Sequence, residues 1–406
     1  MEQYTGILGI IVLLSISFLL SNNRSLVDKN IIFWGLGLQF SFAFIILKTS
    51  FGERLFFYFN IFIVKLISFA DAGSDFLFTS FIPEVGYDQA LLNFAFRALP
   101  VIIFFSSLIA VTYHLGIIQF VIKNISLLME KTMKTSGAET LSISANIFVG
   151  QTEAPILIRP YISLMTKSEL MAVMVGGFAT VAGSVMALYV TWLNNIPDIA
   201  GHLLAASVMS APAALMVAKI IYPETKSLKT INSNKINLKS NDNNIVDAVG
   251  RGATEGLKLA ANVAAMLIAF ISMVAMINFI LGLLGTSMQE ILGLLFKPLA
   301  WTMGIPWKDA EIVGTLMGEK IVLTELIAFR DLSDYVTKNI LSDRSIIITS
   351  YALCGFANFG SIGIQLGGIG SMAPERKKDL SRIVFKAMLG GAIASWLTAS
   401  IVGIII

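Results

Sequence analysis

Long apolar stretches alternate with short polar segments along most of the 406-residue chain. About 20 apolar residues in a helix are enough to cross roughly 30 Å of hydrocarbon. By this measure we predict eight membrane-spanning helices, at residues 5–21, 31–48, 92–121, 168–192, 199–222, 257–285, 345–373 and 380–406. The pattern therefore indicates an all-α polytopic membrane protein.

Other segments are apolar but interrupted by polar residues. Three of them, 54–70, 119–134 and 246–259, carry charges among the apolar residues, which predicts helices that lie at the membrane interface. Two more, 137–166 and 305–335, are too long and too polar for a clean span, and each has a Thr-Glu pair near its middle. We predict that both are re-entrant hairpins.

The two predicted hairpins belong to an internal repeat. Thr152-Glu153 is followed by Gly177-Phe-Ala-Thr180, and Thr324-Glu325 is followed by Gly355-Phe-Ala-Asn358. The fourth and seventh predicted spans carry these tetrapeptides, so the copies run through the membrane in opposite directions. Inverted repeats are typical of alternating-access transporters, which place substrate and ion near the membrane midplane.

The run Asn146-Ile-Phe-Val-Gly-Gln-Thr-Glu-Ala-Pro155 is the polar centre of the first hairpin. Hydrocarbon offers no hydrogen bonds, so its glutamate must face water, have a partner or bind a ligand. Pro155 removes a backbone donor and disfavours a helical residue before it, which predicts a break between two half-helices. An ion pair of either hairpin glutamate with Arg97 or Lys320 is the structural alternative, as is a helix-to-helix hydrogen bond for Gln151.

The helices that carry the repeated tetrapeptides are rich in glycine and small polar residues. For the glycines alone, close helix packing is a sufficient explanation. Thr180, Asn358 and Ser361 are different, because each brings a side-chain oxygen into an apolar segment. Such oxygens, together with backbone carbonyls freed by a loosened helix, suit a hard monovalent cation, and Na⁺ is the natural candidate.

Composition narrows the function. Charged residues make up 14% of the chain, against about 25% in soluble domains, and the mean hydropathy is +0.79. The net charge of +3 is small, so we expect no nucleic-acid partner. The single cysteine, Cys354, excludes an internal disulfide and a cysteine-rich metal cage. The chain has no GxxxxGK[ST], HExxH or GxSxG motif, so we expect neither ATP-driven transport nor an enzyme.

The basic residues predict the orientation of the chain. With eight crossings, the clusters of Lys and Arg after the first, third and fifth spans and around the start of the last all fall on one side, whereas residues 193–198 contain none. The positive-inside rule assigns that side to the cytoplasm. We therefore expect a multi-pass protein of the bacterial inner membrane with both termini in the periplasm and a flexible cytoplasmic connection at 225–247.

Several runs together resemble the concentrative nucleoside transporter family, in order and over nearly the whole chain: Gly150-Gln-Thr-Glu-Ala-Pro155, Arg159-Pro160, Ser168-Glu-Leu170, Ser207-Val-Met-Ser-Ala-Pro212, Pro223-Glu-Thr225 and Cys354-Gly-Phe-Ala-Asn358. The resemblance implies a homotrimer in the lipid bilayer, in which each protomer has a scaffold and a transport domain that moves like an elevator. Residues 1–136 and 223–300 would then form the scaffold with its cytoplasmic loop, and residues 137–222 and 301–406 the two halves of the transport domain.

The resemblance also implies roles for individual residues. Substrate would be bound by Gln151, Thr152 and Glu153 at the base, by Glu325, Asn358 and Ser361 at the ribose, and by Val185 and Phe356 through apolar contact. Sodium would be held by the side chains of Asn146 and Thr180 and the carbonyls of Val149 and Val181. Thr324 and Gly360 depart from the family's usual Asn and Ser, and both departures lie at the ribose end.

The expected function is therefore import of nucleosides such as uridine, coupled to Na⁺. A proton-coupled nucleoside symporter is the first alternative, although the relatives that use protons tend to lack an Asn at the position of Asn146. An inverted-repeat transporter of another small polar solute, for example a dicarboxylate, is the second. The two central glutamates argue against an anionic substrate.

Overall fold

The computed structural model describes residues 2–79, 94–225, 230, 240 and 242–406. Within these residues the regular structure is helical and contains no strand, so the all-α prediction is confirmed. The α-helices are α1 Glu2–Leu19, α2 Lys29–Lys48, α3 Ser50–Phe78, α4 Leu99–His114, α5 Ile117–Met133, α6 Gly137–Ala145, α7 Arg159–Ile162, α8 Lys167–Ala179, α9 Gly183–Trp192, α10 Ile199–Ile221, α11 Ile245–Gly282, α12 Met288–Thr302, α13 Ala310–Val322, α14 Glu325–Thr337, α15 Asp343–Leu353, α16 Phe359–Met372 and α17 Lys377–Ile405.

The predicted count of eight spans is not confirmed. Seven helical segments among the described residues are long and apolar enough to cross a membrane, and Tyr4–Leu19 is a shorter apolar helix. The segment 54–70, predicted to be interfacial, is the middle of the 29-residue α3, which is one of the seven. The predicted span 92–121 stops at His114, because Gly116 adopts a left-handed conformation (φ +81°) that separates α4 from α5. Residues 92–93 of that span lie outside the described residues.

The segment 246–259 is not a separate interfacial helix. It forms the first turns of the 38-residue α11, which continues through the predicted span 257–285 as far as Gly282. Its charges follow the helical period, and Arg251 pairs with Glu255 one turn later at 2.9 Å. Cβ atoms placed on Gly252 and Gly256 would lie within 2.7 Å of backbone atoms of α4, so these glycines allow the two helices to pack closely.

Two predicted spans are each broken into two helices, and both breaks fall at the repeated tetrapeptides. The first break, residues 180–182, separates α8 from α9, and the second break, residues 354–358, separates α15 from α16. Gly355, in the second break, has φ +138°, and a Cβ atom placed on it would lie 2.8 Å from the Phe178 carbonyl oxygen and 2.9 Å from that of Ala179. The two breaks therefore lie directly against each other.

Both predicted hairpins fold as helix, turn and helix. In the first, α6 leads into a turn at 146–153, and the returning arm is a 3-10 helix, Ala154–Ile158, followed by the short α7. In the second, α13 and α14 meet at Leu323, whose φ of −105° and ψ of −99° interrupt the helix. The entry and exit of each hairpin on one side of the membrane stays a prediction.

A buried ion pair fixes the base of the first hairpin. Glu139 of α6 and Lys219 of α10 are almost fully buried, and their side chains approach to 2.7 Å. The Lys219 ammonium also donates to the Ser168 hydroxyl at 3.0 Å, at the start of α8. Burying one such charge without its partner costs several kcal/mol, so this pairing holds α6, α8 and α10 together.

Burial differs strongly between helices. In the most apolar windows of Lys167–Trp192, Ile199–Ile221 and Pro374–Ile405, between 83% and 94% of residues are buried, whereas only 6% are buried in that of α11 and 11% in that of α3. The helices therefore form an inner bundle and an outer set with exposed apolar faces. Exposed apolar surface of this extent requires lipid or another protein. The division into scaffold and transport domains stays a prediction.

We expect Gly355→Ala to destabilise the protein, because alanine is strained at this φ and its Cβ would press on the Phe178 and Ala179 carbonyls. Strain of this kind costs about 1–3 kcal/mol, and it should appear as a lower Tm of the detergent-purified protein. Gly367→Ala is the matched control, since no atom of the described residues lies within 4 Å of its Cβ position on α16. Equal Tm values for the two variants would contradict the close contact.

Candidate functional site

A buried glutamate lies at the turn of the second hairpin. Glu325 is the first residue of α14 and is 4% exposed. The positive end of the helix dipole favours a carboxylate at this position. Its Oε1 accepts a hydrogen bond from the Tyr189 hydroxyl at 2.9 Å, and its Oε2 accepts one from Asn358 Nδ2 at 2.8 Å. Both carboxylate oxygens are therefore satisfied from neighbouring helices.

Asn358 and Ser361 connect this glutamate to the first hairpin. Asn358 is the N-cap of α16, where its Oδ1 accepts from the Ser361 amide at 2.8 Å, so its amino group faces Glu325. The Ser361 hydroxyl accepts from Gln151 Nε2 at 3.2 Å. A continuous hydrogen-bonded path thus runs from the second hairpin through α16 to the first.

The path continues to a residue that the sequence analysis missed. Gln365 Nε2 donates to Gln151 Oε1 at 3.1 Å and to the Met174 carbonyl at 3.1 Å. Asn358, Ser361 and Gln365 are spaced three and four residues apart, which places them on one face of α16. This spacing of polar residues in an apolar helix was the signal that would have identified Gln365. Tyr189 gave no comparable signal, because buried tyrosines are common in apolar helices.

The other two residues predicted to read the base lie at the same turn. Thr152 is half-buried and packs against α16, where a Cβ atom on Gly368 would lie 2.6 Å from its methyl group. Glu153 is exposed, and its Oε2 accepts from the Gly150 amide at 3.1 Å. The hydrogen bonds therefore join Gln151, but not Glu153, to Glu325.

The two predicted apolar contacts flank the helix breaks. Val185 is buried in the first turn of α9, and Phe356 is half-buried within the second break. Phe356 is the second residue of its tetrapeptide, whereas Val185 lies five residues after Thr180, so the two apolar residues do not occupy equivalent places in the repeats.

The four predicted sodium ligands lie where the first hairpin meets the first break. The Gly183 amide donates to the Phe148 carbonyl at 3.0 Å, which joins the two segments. Asn146 is 1% exposed, and its Nδ2 donates to the Ser142 carbonyl at 3.2 Å, while its Oδ1 has no hydrogen-bond partner among the residues that the structure describes. Burying an amide oxygen without a partner is unfavourable unless a bound ligand interacts with it.

The remaining ligands of this set also present free oxygens. The Thr180 hydroxyl is buried and donates to the Gly176 carbonyl at 3.0 Å, so its lone pairs stay available. Among the described residues, no hydrogen bond reaches the carbonyls of Val149 and Val181. A set of neutral side-chain and backbone oxygens fits a hard monovalent cation.

The ion-pair alternative for the two glutamates finds no support. Arg97 pairs with Asp75 at 3.0 Å. Lys320 is fully buried and donates to the Ala352 carbonyl at 2.8 Å and the Ser395 hydroxyl at 2.7 Å. In the part of the chain that the structure describes, neither Glu153 nor Glu325 forms an ion pair. Lys320 instead caps the last turn of α15, next to the second break.

Comparison with known sequence families gives three matches. Residues 8–81 match the Na⁺ dependent nucleoside transporter N-terminus, residues 95–195 match the family described as nucleoside recognition, and residues 202–403 match the Na⁺ dependent nucleoside transporter C-terminus. Together these matches cover most of the chain.

Individual proteins are similar over the whole length. The chain is 41% identical to the sodium/nucleoside cotransporter 1 of Rattus norvegicus, of which it spans 64%, and 41% identical to the uncharacterized transporter YutK of Bacillus subtilis, of which it spans 100%. The mammalian relative is therefore considerably longer than this chain.

Solved structures share the fold. An inward-facing, substrate-bound structure of CNTnw has a TM-score of 0.91 at 40% identity, with 98% of each chain covered. An outward-facing structure of CNTnw with two substitutions has a TM-score of 0.91 at 39% identity, covering 100% of this chain and 98% of that one.

We expect Tyr189→Phe to destabilise the protein by about 1–3 kcal/mol, because it removes a donor from a buried carboxylate. The ring stacks on Phe329 with centroids 4.2 Å apart, so packing should be kept. Tyr351→Phe is the control, since this buried hydroxyl bonds only to the His202 imidazole among the hydrogen bonds described, at 3.1 Å. A Tm for Tyr189→Phe no lower than that of the control would contradict a charged Glu325 held by Tyr189.

Proposed function

The chain belongs to the Na⁺-dependent nucleoside transporter family, and on that basis we propose that it is a secondary active symporter that imports nucleosides together with sodium. The observation that carries the proposal is the hydrogen-bonded path from Glu325 through Asn358 and Ser361 to Gln151. This path brings polar groups from both hairpins and from α16 to one place, as the recognition of a small polar solute requires.

Ribose is recognised through its hydroxyl groups. A carboxylate has about four lone-pair sites, and Glu325 uses one on each oxygen for Tyr189 and Asn358. The remaining sites accept ribose hydroxyls in charge-assisted hydrogen bonds, which are stronger than neutral ones. Asn358 and Ser361 add an amide and a hydroxyl beside it. Thr324, where relatives usually carry an amide, caps α14 through its hydroxyl and keeps the carboxylate at the helix start.

The base is recognised at the turn of the first hairpin. Gln151, Thr152 and Glu153 offer donors and acceptors, and Val185 and Phe356 contact the flat faces of the ring. Neither hairpin provides a free positive group beside these residues, since the Lys320 ammonium donates to the Ala352 carbonyl and the Ser395 hydroxyl. Nucleotides, with their charged phosphates, are therefore poor substrates.

Sodium is transported with the nucleoside, and the fit of the oxygen set supports its assignment. Asn146 Oδ1, the Thr180 hydroxyl and the carbonyls of Val149 and Val181 bind the ion at one end of the turn 146–153. Gln151 lies at the other end of the same turn. Binding of the ion therefore stabilises the turn in the shape that substrate binding needs, which couples the two ligands.

The family resemblance supports a proposal for the assembly, and the distribution of Lys and Arg supports one for the orientation. We propose a homotrimer in the bacterial inner membrane with both termini in the periplasm, and an elevator movement of the inner bundle. The exposed apolar faces of α3 and α11 support contact with lipid or with a second copy. The carboxylates at the site disfavour a dicarboxylate as substrate, and a proton-coupled nucleoside symporter is the alternative that experiment must exclude.

We expect proteoliposomes containing the purified protein to take up radiolabelled uridine only when sodium is higher outside. Replacing external sodium by choline at fixed pH should abolish uptake, because the ion supplies the driving force. Equal uptake in sodium and choline would overturn the sodium assignment, and uptake that follows a pH gradient would favour the proton-coupled alternative.

The same assay tests the sodium ligands. Asn146→Ala removes the unpartnered oxygen and should raise the sodium concentration for half-maximal uptake about tenfold. Asn124→Ala is the matched control, because Asn124 makes the same type of bond to the carbonyl four residues earlier but is exposed on α5. An unchanged sodium dependence in Asn146→Ala would remove this residue from the site.

We expect Glu325→Gln to lose uridine uptake at any practical concentration, since a neutral amide forms weaker hydrogen bonds to ribose and cannot accept on both of its polar atoms. Glu311→Gln on the same hairpin is the control, because its carboxylate is exposed and, within the described residues, pairs only with Lys297, at 2.7 Å. Transport near the wild-type level by Glu325→Gln would exclude Glu325 from substrate binding.

A further inference from the structure

Gln365 is a buried glutamine that is neither among the site residues predicted from the sequence nor among the proposed substrate contacts. It is fully buried on α16, one turn beyond Ser361, and its Oε1 has no hydrogen-bond partner in the described part of the chain. Its Nε2 donates to two acceptors, Gln151 Oε1 and the Met174 carbonyl, each at 3.1 Å. The hydrogen bonds of this side chain are therefore all made by its amino group, and we look for its role there.

The Met174 carbonyl fixes the orientation of both amides. The nitrogen and oxygen of a glutamine amide are told apart by their hydrogen-bond partners. A backbone carbonyl can only accept, so the atom of Gln365 that faces Met174 must be Nε2. The same nitrogen faces Gln151, which must therefore present its oxygen. It follows that the amino group of Gln151 points away from Gln365, towards Ser361.

Gly177 makes this arrangement possible. A Cβ atom placed on Gly177 would lie 2.6 Å from Gln365 Nε2 and 3.1 Å from Gln151 Cβ. Any larger residue at this position of α8 would push the two glutamines apart. The glycine of the first repeat thus makes room for an amide pair that joins the first hairpin to α16.

We propose that Gln365 is a positioning residue that sets base selectivity, an inference that rests on the proposed nucleoside function. It holds Gln151 by its oxygen, so the amino group of Gln151 gives one N–H to Ser361 and keeps its second N–H for the base. Gln151 then donates a hydrogen bond and favours a base with a keto oxygen at that place. Uridine and inosine carry a keto oxygen where cytidine and adenosine carry an amino group. The amide pair therefore favours the keto member of each pair.

The test is the ratio of cytidine to uridine dissociation constants, measured by calorimetry on the purified full-length protein in saturating sodium. Gln365→Met keeps the volume but releases Gln151, so the amide can turn and accept from an amino group. We expect the cytidine-to-uridine ratio to fall about fivefold, the effect of one neutral hydrogen bond. The ratio of adenosine to inosine dissociation constants should fall as well. Gln365→Asn, which is too short to reach both acceptors, should behave similarly and serves if the methionine variant does not fold.

A double-mutant cycle separates positioning from a general structural effect. In a Gln151→Ala background the substitution at 365 should leave the ratio unchanged, because nothing remains to be positioned. Gln39→Met is the matched control. Gln39 is also fully buried, donates to the Gly35 carbonyl at 3.0 Å and has an Oε1 without a partner among the described residues, but it lies on α2. Its ratio should equal that of the wild type.

The outcomes are distinct. A cytidine-to-uridine ratio within twofold of wild type in both Gln365 variants would overturn the inference while leaving the nucleoside function intact. An equal shift with and without Gln151 would overturn it as well, because the effect would then be structural. Failure of the wild-type protein to bind any of the four nucleosides would overturn the proposed function together with the inference.

Discussion

The structure depends on the contact between the two helix breaks. Gly355 lies against the carbonyls of Phe178 and Ala179, at a distance that excludes any side chain. Because two helices stop there, α9 and α16 begin inside the bundle, and α14 begins nearby at the turn of the second hairpin. The first turns of these helices present free amide groups and capping side chains at one place. A continuous helix would have used those backbone groups internally. The broken helices therefore turn an apolar interior into a polar site without adding charge.

Polar groups at the site satisfy each other across three elements. Glu325, Asn358, Ser361 and Gln151 each bond to the next, so the position of either hairpin constrains the other. Hydrogen bonds are stronger in a surrounding of low dielectric, and leaving one unmade is correspondingly costly. A ligand that enters this path has to replace the bonds it breaks, which favours solutes that carry several hydroxyl or amide groups in a fixed arrangement.

Much of this organisation was predictable from the sequence. Glycine and polar residues within apolar runs located the two hairpin segments and indicated loosened helices at the repeated tetrapeptides, but not that these spans are each broken in two. Each such residue is unfavourable in hydrocarbon unless it has a specific role. Other features depended on tertiary contacts. The charges in 246–259 suggested a separate helix at the membrane interface, yet this segment is the first part of α11. The spacing of the charges fits both arrangements, and only packing against α4 distinguishes them. Tyr189 was missed because its significance lies in a partner more than 130 residues away. Gln365 also has distant partners, but its spacing from Ser361 was a signal that the sequence offered.

The length of α11 has a geometric consequence. At about 1.5 Å per residue, its 38 residues extend roughly 57 Å, nearly twice the thickness of the hydrocarbon layer. No tilt within the usual range absorbs that excess, so one end of the helix must stand outside the bilayer. The charged first turns, with Arg251 and Glu255, are the end suited to water. The first turns of α11 therefore project from the membrane surface, where their exposed side can contact polar parts of the protein or lipid headgroups.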